Sequence, residues 1–395
     1  MPLSVLTCCL QIHSHSRETK QSHDLFLPSV AVLTSSLLSF ATMERFSANH
    51  LQLQKLDYAR ISLKATLTLF FFVANVFVVL FVILLVPVWL TVRLMAKVLR
   101  PELGQIISDM TTNFTIYSQD NCCASLNHYL ILDGTMTAAR FRELWHERIM
   151  CARRPNGELL FSRFRESWTH FLGYPFWKPE RSFSLEHHIR DYDLDRDLAL
   201  PVRCHERDLQ RMMGRLASRL YREDCSPWEV LLIQNYRLLE DSKTPRTVVL
   251  FRHHHALIDG YGLVSIMRLL FQSKYSVPEV KFPNVPLWLR FLAVLKMPYD
   301  TAEMLLNAYD GLDEWHVQAD TPRELEASMT GPIPIDKVKA VKRKLKISYS
   351  AVIFTAVAAA IERVAKENKM KVPQNMGVHF PFPKPNHPGG SVNNL

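Results

Sequence analysis

The residues best suited to chemistry are His253, His254 and His255, which precede Asp259 and Gly260 in the stretch LFRHHHALIDGYG. Neutral imidazole, with a pKa of about 6.5, can take a proton from a substrate hydroxyl near neutral pH. A histidine at the end of a strand, followed by a turn built on glycine, can face a cleft. We therefore expect a general base in this stretch.

Two other interpretations of the three histidines stay open at this point. On a strand, His253 and His255 would point to the same face and could hold zinc. No nearby cysteine or carboxylate is spaced to complete such a site, so we predict no metal. The histidines could instead be structural, although neighbouring strand residues face opposite sides and at least one would then point inward.

Strands alternating with helices would have to position these histidines. Apolar patterning predicts strands in LNHYLILDG (126–134), PWEVLLIQ (227–234) and TPRTVVLFRHHH (244–255). Helical spacing of apolar residues predicts helices over 137–149, 205–224 and 263–272. This alternation predicts an α/β body.

Two of these helices carry specific expectations. The helix over 205–224 has an apolar stripe, which we expect to face the core: Leu209, Met212, Met213, Leu216 and Leu220. At the start of the helix over 263–272, Asp259 could cap the helix or pair with an arginine, and either contact would hold the shape of the loop.

The chain after this body is interrupted by four prolines between 276 and 300, so we expect a crossover linker over 276–330. A strong helix follows within 338–367, with Ser350 near its start. The basic cluster Lys342 to Lys344 is expected to be a solvated face. From about 375 the pattern begins another strand and then runs into proline and glycine.

A membrane segment precedes the body. No Asp, Glu, Lys or Arg interrupts the run between Lys64 and Arg93. A helix of about 20 apolar residues crosses a bilayer core, so we predict a transmembrane helix over 65–92. Asn75 and Pro87 leave a re-entrant hairpin open as an alternative. Residues 1–60 are expected to form a leader, which could be disordered.

Composition narrows the class of partner. The chain has 395 residues and a formal charge of +9, but its basic residues are spread along the sequence rather than gathered into one run. This pattern does not favour nucleic acid, and it suits a membrane surface or a phosphate-bearing substrate. Seven cysteines without CxxC spacing indicate reduced thiols in a cytosol-facing protein.

The sequence also resembles a known family. HHALIDG (254–260) matches the HHxxxDG motif of the coenzyme A-dependent acyltransferase superfamily, whose fold is that of chloramphenicol acetyltransferase. The stretches FSLEHHIR (183–190), CSPWEVLLIQ (225–234) and LNHYLILDG resemble, in order and spacing, the wax ester synthase/diacylglycerol acyltransferase family. This resemblance covers about residues 120–395.

The resemblance implies an enzyme that transfers a long-chain acyl group from acyl-CoA to a fatty alcohol or diacylglycerol, giving wax ester or triacylglycerol. It implies that His255 is the general base, that His254 and Gly260 shape the site, and that Asp259 orients the turn. Acyl-CoA would be a co-substrate, and no cofactor is expected. The expected location is a membrane, the endoplasmic reticulum, with a single-pass helix and a cytosolic body.

The same resemblance implies a two-domain α/β architecture: an N-terminal acyltransferase domain over 105–275 and a partial C-terminal domain over 331–395. The second domain is expected to be incomplete, because SVNNL resembles the start of a later segment of the family. An alternative therefore stays open, namely a non-catalytic homologue that binds acyl lipid or a protein partner at the membrane. An amine or sterol acceptor is a further alternative.

Overall fold

The computed structural model describes residues 35–107, 110–116, 124–194, 196–237, 245–274, 285–310, 333–372 and 387–391. Its α-helices are α1 Ser35–Leu99, α2 Met110–Ile116, α3 Ala138–Trp145, α4 Leu185–His188, α5 Glu206–Ala217, α6 Gly260–Leu270, α7 Leu287–Asp310, α8 Ile335–Leu345 and α9 Tyr349–Glu367. Its strands are β1 Ser125–Asp133, β2 Glu166–Phe171, β3 Tyr174–Pro179, β4 Ile189–Asp191, β5 Cys204–His205, β6 Trp228–Ile233, β7 Tyr236–Arg237 and β8 Arg246–His254. A π-helical turn, His146–Met150, directly follows α3.

The central sheet has the strand order β1-β8-β6-β4, so the strand that carries the histidines lies between two neighbours. β8 is antiparallel to both β1 and β6, whereas β4 and β6 are parallel. Eight of the nine β8 residues are buried, including its polar residues Thr247, Arg252, His253 and His254. The predicted strands and the α/β fold class are confirmed.

Helices cover both faces of this sheet. On one face, Val249 and Phe251 of β8 pack with Trp145, Phe164 and Trp228 in a core that is rich in aromatic rings. On the other face, the alternate β8 residues Val248 and Leu250 pack against α5. The two-residue period of the strand therefore divides its side chains between two cores.

Two expectations about helix extent need correction. The helix predicted over 205–224 ends at Ala217, and Leu220, expected on its buried stripe, is 54% exposed. The interval 276–330, predicted as a proline-interrupted crossover, contains the 24-residue helix α7, which continues through Pro298. Packing of α7 along α1 offsets the local cost of this proline.

The predicted membrane segment lies within one continuous helix, and neither Asn75 nor Pro87 breaks it. Tyr58–Leu99 is long and apolar enough to cross a bilayer. Part of the expected leader, from Ser35 onward, is helical rather than disordered, and residues 1–34 lie outside the described residues. The strand expected near 375 also lies outside them.

α1 and α7 run antiparallel. The Lys64 ammonium donates to the Tyr299 hydroxyl at 2.5 Å and lies 3.3 Å from the Glu303 carboxylate. One turn earlier on α1, Arg60 donates to Asn307 at 3.3 Å. α7 also leaves large apolar side chains exposed, among them Leu287, Trp288 and Phe291.

The aromatic core predicts a large stability effect for one of its side chains. Phe164 is fully buried and stacks against Phe161 and Trp145. Phe164→Ala should lower the free energy of unfolding by about 3–5 kcal/mol, because it leaves a cavity. Val202→Ala, at a site 86% exposed, should change it by less than about 0.5 kcal/mol. Urea titration of the detergent-solubilised chain, followed by circular dichroism, measures both, and equal effects would contradict this packing.

Candidate active site

His255 stands immediately after the last residue of β8. Its backbone N–H donates to the Ala124 carbonyl at 2.8 Å, which continues the β1–β8 ladder by one residue beyond the strand. Its imidazole is half-buried and stacks on the Phe114 ring of α2, with centroids 4.3 Å apart and planes 13° apart. The backbone and ring contacts hold the side chain at the strand end while part of it stays open to solvent.

The other two histidines of the triplet are sealed inside the fold. His254 Nδ1 accepts a hydrogen bond from the Ala256 N–H at 3.2 Å, so a neutral His254 carries its proton on Nε2. His253 Nδ1 lies 3.3 Å from the His254 carbonyl and can donate to it. Within the described parts of the chain, neither Nε2 has a hydrogen-bond partner. The strand thus leaves His255 as the member of the triplet with access to a ligand.

Burial sets the charge of these rings. It lowers the pKa of His254 to about 3, and the neighbouring His255 and Arg252 act in the same direction. It also places the pKa of His253 well below its usual value, with a further contribution from His128. Both rings are therefore neutral at physiological pH.

A buried ion-pair network lies behind the histidines. Arg252 donates to Glu229 at 2.9 Å, donates to the Arg219 carbonyl, and covers the Tyr221 ring at 4.0 Å. Arg190 pairs with the other oxygen of Glu229 at 2.9 Å. Burial opposes ionisation of Glu229, but the two arginines prevail and lower its pKa. Through Glu229, this network joins β6 to the neighbouring strand β8, which carries the histidines.

Asp259 is the N-cap of α6, as one of the two sequence alternatives predicts. Its Oδ1 accepts from the Gly262 N–H at 2.9 Å. Gly260 is the first residue of the helix, and a Cβ added there would meet no described atom within 4 Å. The tightly packed glycine is Gly262 instead, where an added Cβ would lie 2.6 Å from the Gly390 carbonyl oxygen.

The partner of Asp259 outside the helix is a histidine rather than an arginine. His387 Nε2 lies 2.7 Å from Asp259 Oδ2, and both side chains are buried. Arg154 donates to the carbonyls of Pro388 and Gly389 at 3.1 and 2.9 Å, and the Ser391 N–H donates to Leu160. Sequence reasoning missed His387, and the nearest signal is the glycine pair at 389–390.

A cavity of about 560 Å³ opens beside the motif strand. Arg190, Arg219, Arg222 and Arg252 contribute to its lining, together with acidic residues such as Glu229. His254, His255 and Asp259 do not line it. The described residues also contain no group of three or more His, Cys, Asp or Glu side chains placed to hold a metal ion.

Residues 130–287 match the profile of the wax ester synthase/diacylglycerol acyltransferase catalytic domain. This match confirms, over residues 130–287, the family resemblance read from the sequence. No curated protein sequence matches the chain significantly.

Solved structures give more distant likenesses. One is the wax ester synthase/diacylglycerol acyltransferase from Marinobacter aquaeolei VT8, 17% identical, with a TM-score of 0.40, covering 67% of this chain and 62% of the other. The first condensation domain of the calcium-dependent antibiotic synthetase is 13% identical, with a TM-score of 0.41 and coverages of 66% and 61%. The chain thus spans about three fifths of the length of these proteins.

Because His254 is buried as a neutral ring, the free energy of unfolding depends on pH. Its pKa is about 6.5 in the unfolded chain and about 3 in the folded protein. Its contribution is therefore complete above pH 6.5 and is lost as pH falls toward 3, because the unfolded chain binds the proton first.

Between pH 6.5 and 5, wild type should lose on the order of 2 kcal/mol more unfolding free energy than His254→Gln. Urea titrations at the two pH values measure this difference. His146→Gln, at an exposed position, should keep the wild-type pH slope. Parallel slopes for wild type and His254→Gln would contradict the burial of a neutral ring.

Proposed function

We propose that this chain is an acyl-CoA-dependent O-acyltransferase that esterifies a fatty alcohol or diacylglycerol, with His255 as the general base. The observation that carries the proposal is the unequal placement of the histidine triplet. His253 and His254 are buried and neutral, whereas His255 stands half-buried at the end of β8. The catalytic-domain match over 130–287 supports this class of reaction.

In the proposed reaction, neutral His255 accepts the proton of the acceptor hydroxyl while the alcohol oxygen attacks the thioester carbonyl. The new C–O bond forms and the C–S bond breaks, so that the ester and coenzyme A are the products. The proton held by His255 passes to the departing thiolate, which restores the neutral base. The step needs neither a metal nor an oxidant.

Phe114 stabilises the imidazolium that His255 becomes during this step, and His254 does not oppose it. Phe114 stacks on its ring at 4.3 Å, and an aromatic face stabilises a nearby cation. His254 is held neutral by burial, so it does not add a positive charge beside the one that develops. In this proposal Asp259 orients the turn by capping α6, and Gly260 begins that helix.

We also propose that α1 anchors the protein in a membrane. The span Tyr58–Leu99 has the required length and composition, and the exposed apolar side of α7 runs beside it. An anchored body would meet acceptors and acyl chains that partition into lipid. A cytosolic body at the endoplasmic reticulum would suit the supply of acyl-CoA.

The base assignment is tested with His255→Ala. This variant should lower acyl transfer from radiolabelled long-chain acyl-CoA by about 10²- to 10⁴-fold, the usual contribution of a general base. Thin-layer separation of the lipids, from yeast that lacks its own neutral-lipid acyltransferases, measures wax ester and triacylglycerol separately. His146→Ala is the control, because this histidine is exposed and is not part of the motif 254–260.

If the His255→Ala chain keeps wild-type turnover, the mechanism is wrong. If wild type and variant both make no ester, the non-catalytic alternative replaces this proposal. Label appearing in an amide or a steryl ester would retain the base and change the acceptor class.

Membrane anchoring is tested with charges in α1. Phe77 and Leu84 are 67% and 72% exposed, and each arginine at the centre of a membrane helix costs about 2.5–3.5 kcal/mol in translocon scales. The double variant Phe77→Arg/Leu84→Arg should move a large share of the chain from the carbonate-washed membrane pellet to the supernatant. Val202→Arg, on the exposed surface of the body, should stay in the pellet. Unchanged sedimentation of the double variant would refute the anchor.

A further inference from the structure

We propose that His387 is a positioning residue for the turn that carries His255. Its Nε2–H holds one oxygen of Asp259 while the other oxygen caps α6, so the turn is fixed when the segment 387–391 is docked. The proposal rests on the proposed function, because it assumes that His255 accepts the proton of the acceptor hydroxyl. The observation behind it is the 2.7 Å contact between the side chains of His387 and Asp259, which are 2% and 0% exposed.

The hydrogen bonds of His387 determine which of its nitrogens carries the proton. Its Nδ1 accepts from the Gly389 N–H at 3.0 Å, and a backbone amide can act only as a donor. Nδ1 therefore has a free lone pair, and the proton of the neutral ring is on Nε2, which faces the carboxylate. The Gly389 amide thus prepares His387 to donate to Asp259 Oδ2.

Asp259 joins this contact to the turn. Its Oδ1 accepts from the Gly262 N–H and its backbone carbonyl from the Leu263 N–H, both at 2.9 Å. A carboxylate that is fully buried requires hydrogen-bonding partners, and here they come from two distant parts of the chain. Without His387, Oδ2 loses this hydrogen bond inside the fold, and the cap loses one of the contacts that fix its orientation.

The backbone of the segment 387–391 is shaped to reach this position. Gly390 has φ +75°, and a Cβ added to it would clash with the Leu160 carbonyl oxygen. The Ser391 N–H donates to that same carbonyl at 3.0 Å. Arg154 donates hydrogen bonds to the carbonyls of Pro388 and Gly389. The Gly390 carbonyl in turn lies against Gly262 on α6. Close backbone contacts on both sides therefore place His387 opposite Asp259.

The test compares His387→Ala, His387→Gln and Gly390→Ala in the full detergent-solubilised chain. Two readouts are used: kcat and KM for acyl-CoA, and hydrogen exchange in peptides that cover 255–265. His387→Ala should speed exchange at the Gly262 and Leu263 amides. It should also lower kcat on the order of 100-fold, the cost of misplacing a reacting group by about 1 Å, and leave KM near its wild-type value.

Glutamine has an N–H donor at a similar reach, so His387→Gln should restore both exchange and kcat. Gly390→Ala keeps His387 but disturbs its docking, and it should follow His387→Ala. Ser391→Ala is the matched control within the same segment. It removes a hydroxyl with no hydrogen-bond partner among the described residues, and both readouts should match wild type.

Unchanged exchange in His387→Ala overturns the proposal, and so does faster exchange with wild-type kcat in an active chain. Failure of His387→Gln to restore either readout also overturns it. A wild-type chain without acyl transfer overturns the proposed function instead. In that case exchange alone decides whether His387 fixes the turn.

Discussion

Both oxygens of the Asp259 carboxylate are committed to hydrogen bonds, and the geometry of the site depends on this. One oxygen holds the first turn of α6 and the other holds His387. The side chain is fully buried, and burial of an unpaired carboxylate costs several kcal/mol or more. The structure satisfies this carboxylate by bringing together residues separated by 128 positions. The strand end, the turn and the helix are thereby held in one arrangement.

Burial of β8 imposes a second constraint, because this strand carries Arg252, His253 and His254 into the interior. The charge of Arg252 is balanced by Glu229, which Arg190 also contacts. Burial and nearby positive charge both disfavour protonation of His254. The three histidines are equivalent in the sequence but differ in the fold, since the strand ends one residue before His255. Of the three histidines in the motif, His255 is therefore the one whose side chain stays partly open to solvent.

Much of this arrangement is predictable from local sequence. β1, β6 and β8 follow from apolar patterning, and the cap at Asp259 follows from an acidic residue placed before a helical stripe. The end of α5 at Ala217 does not follow, because the periodic pattern continues to Leu220 while the packing surface ends earlier. α7 does not follow from local sequence either, because its stability through Pro298 comes from contacts with α1, more than 200 residues away in the sequence.

The partner of Asp259 could not be predicted either, because it lies in a part of the chain that is distant in sequence. A histidine in a segment rich in proline and glycine has no periodicity to reveal its direction, and Gly390 is needed for a close approach that only the fold defines. Arginine was the expected partner because it gives strong paired hydrogen bonds to carboxylates. Histidine makes a single contact here, and the Gly389 amide supplies the orientation that an arginine would have from its own planar group.

The connection between α1 and the site is short and well packed. Val92 and Ala96, near the end of α1, pack against Phe176 of β3. The chain then bonds along β3, with the Gly104 N–H donating to the Trp177 carbonyl at 2.7 Å. It reaches α2, whose Phe114 stacks on His255. Because each step is a direct packing or hydrogen-bond contact between described residues, α1 and the candidate base are linked through β3 and α2. In the proposed enzyme, the membrane anchor and the reacting ring would therefore be connected through packing contacts of the body.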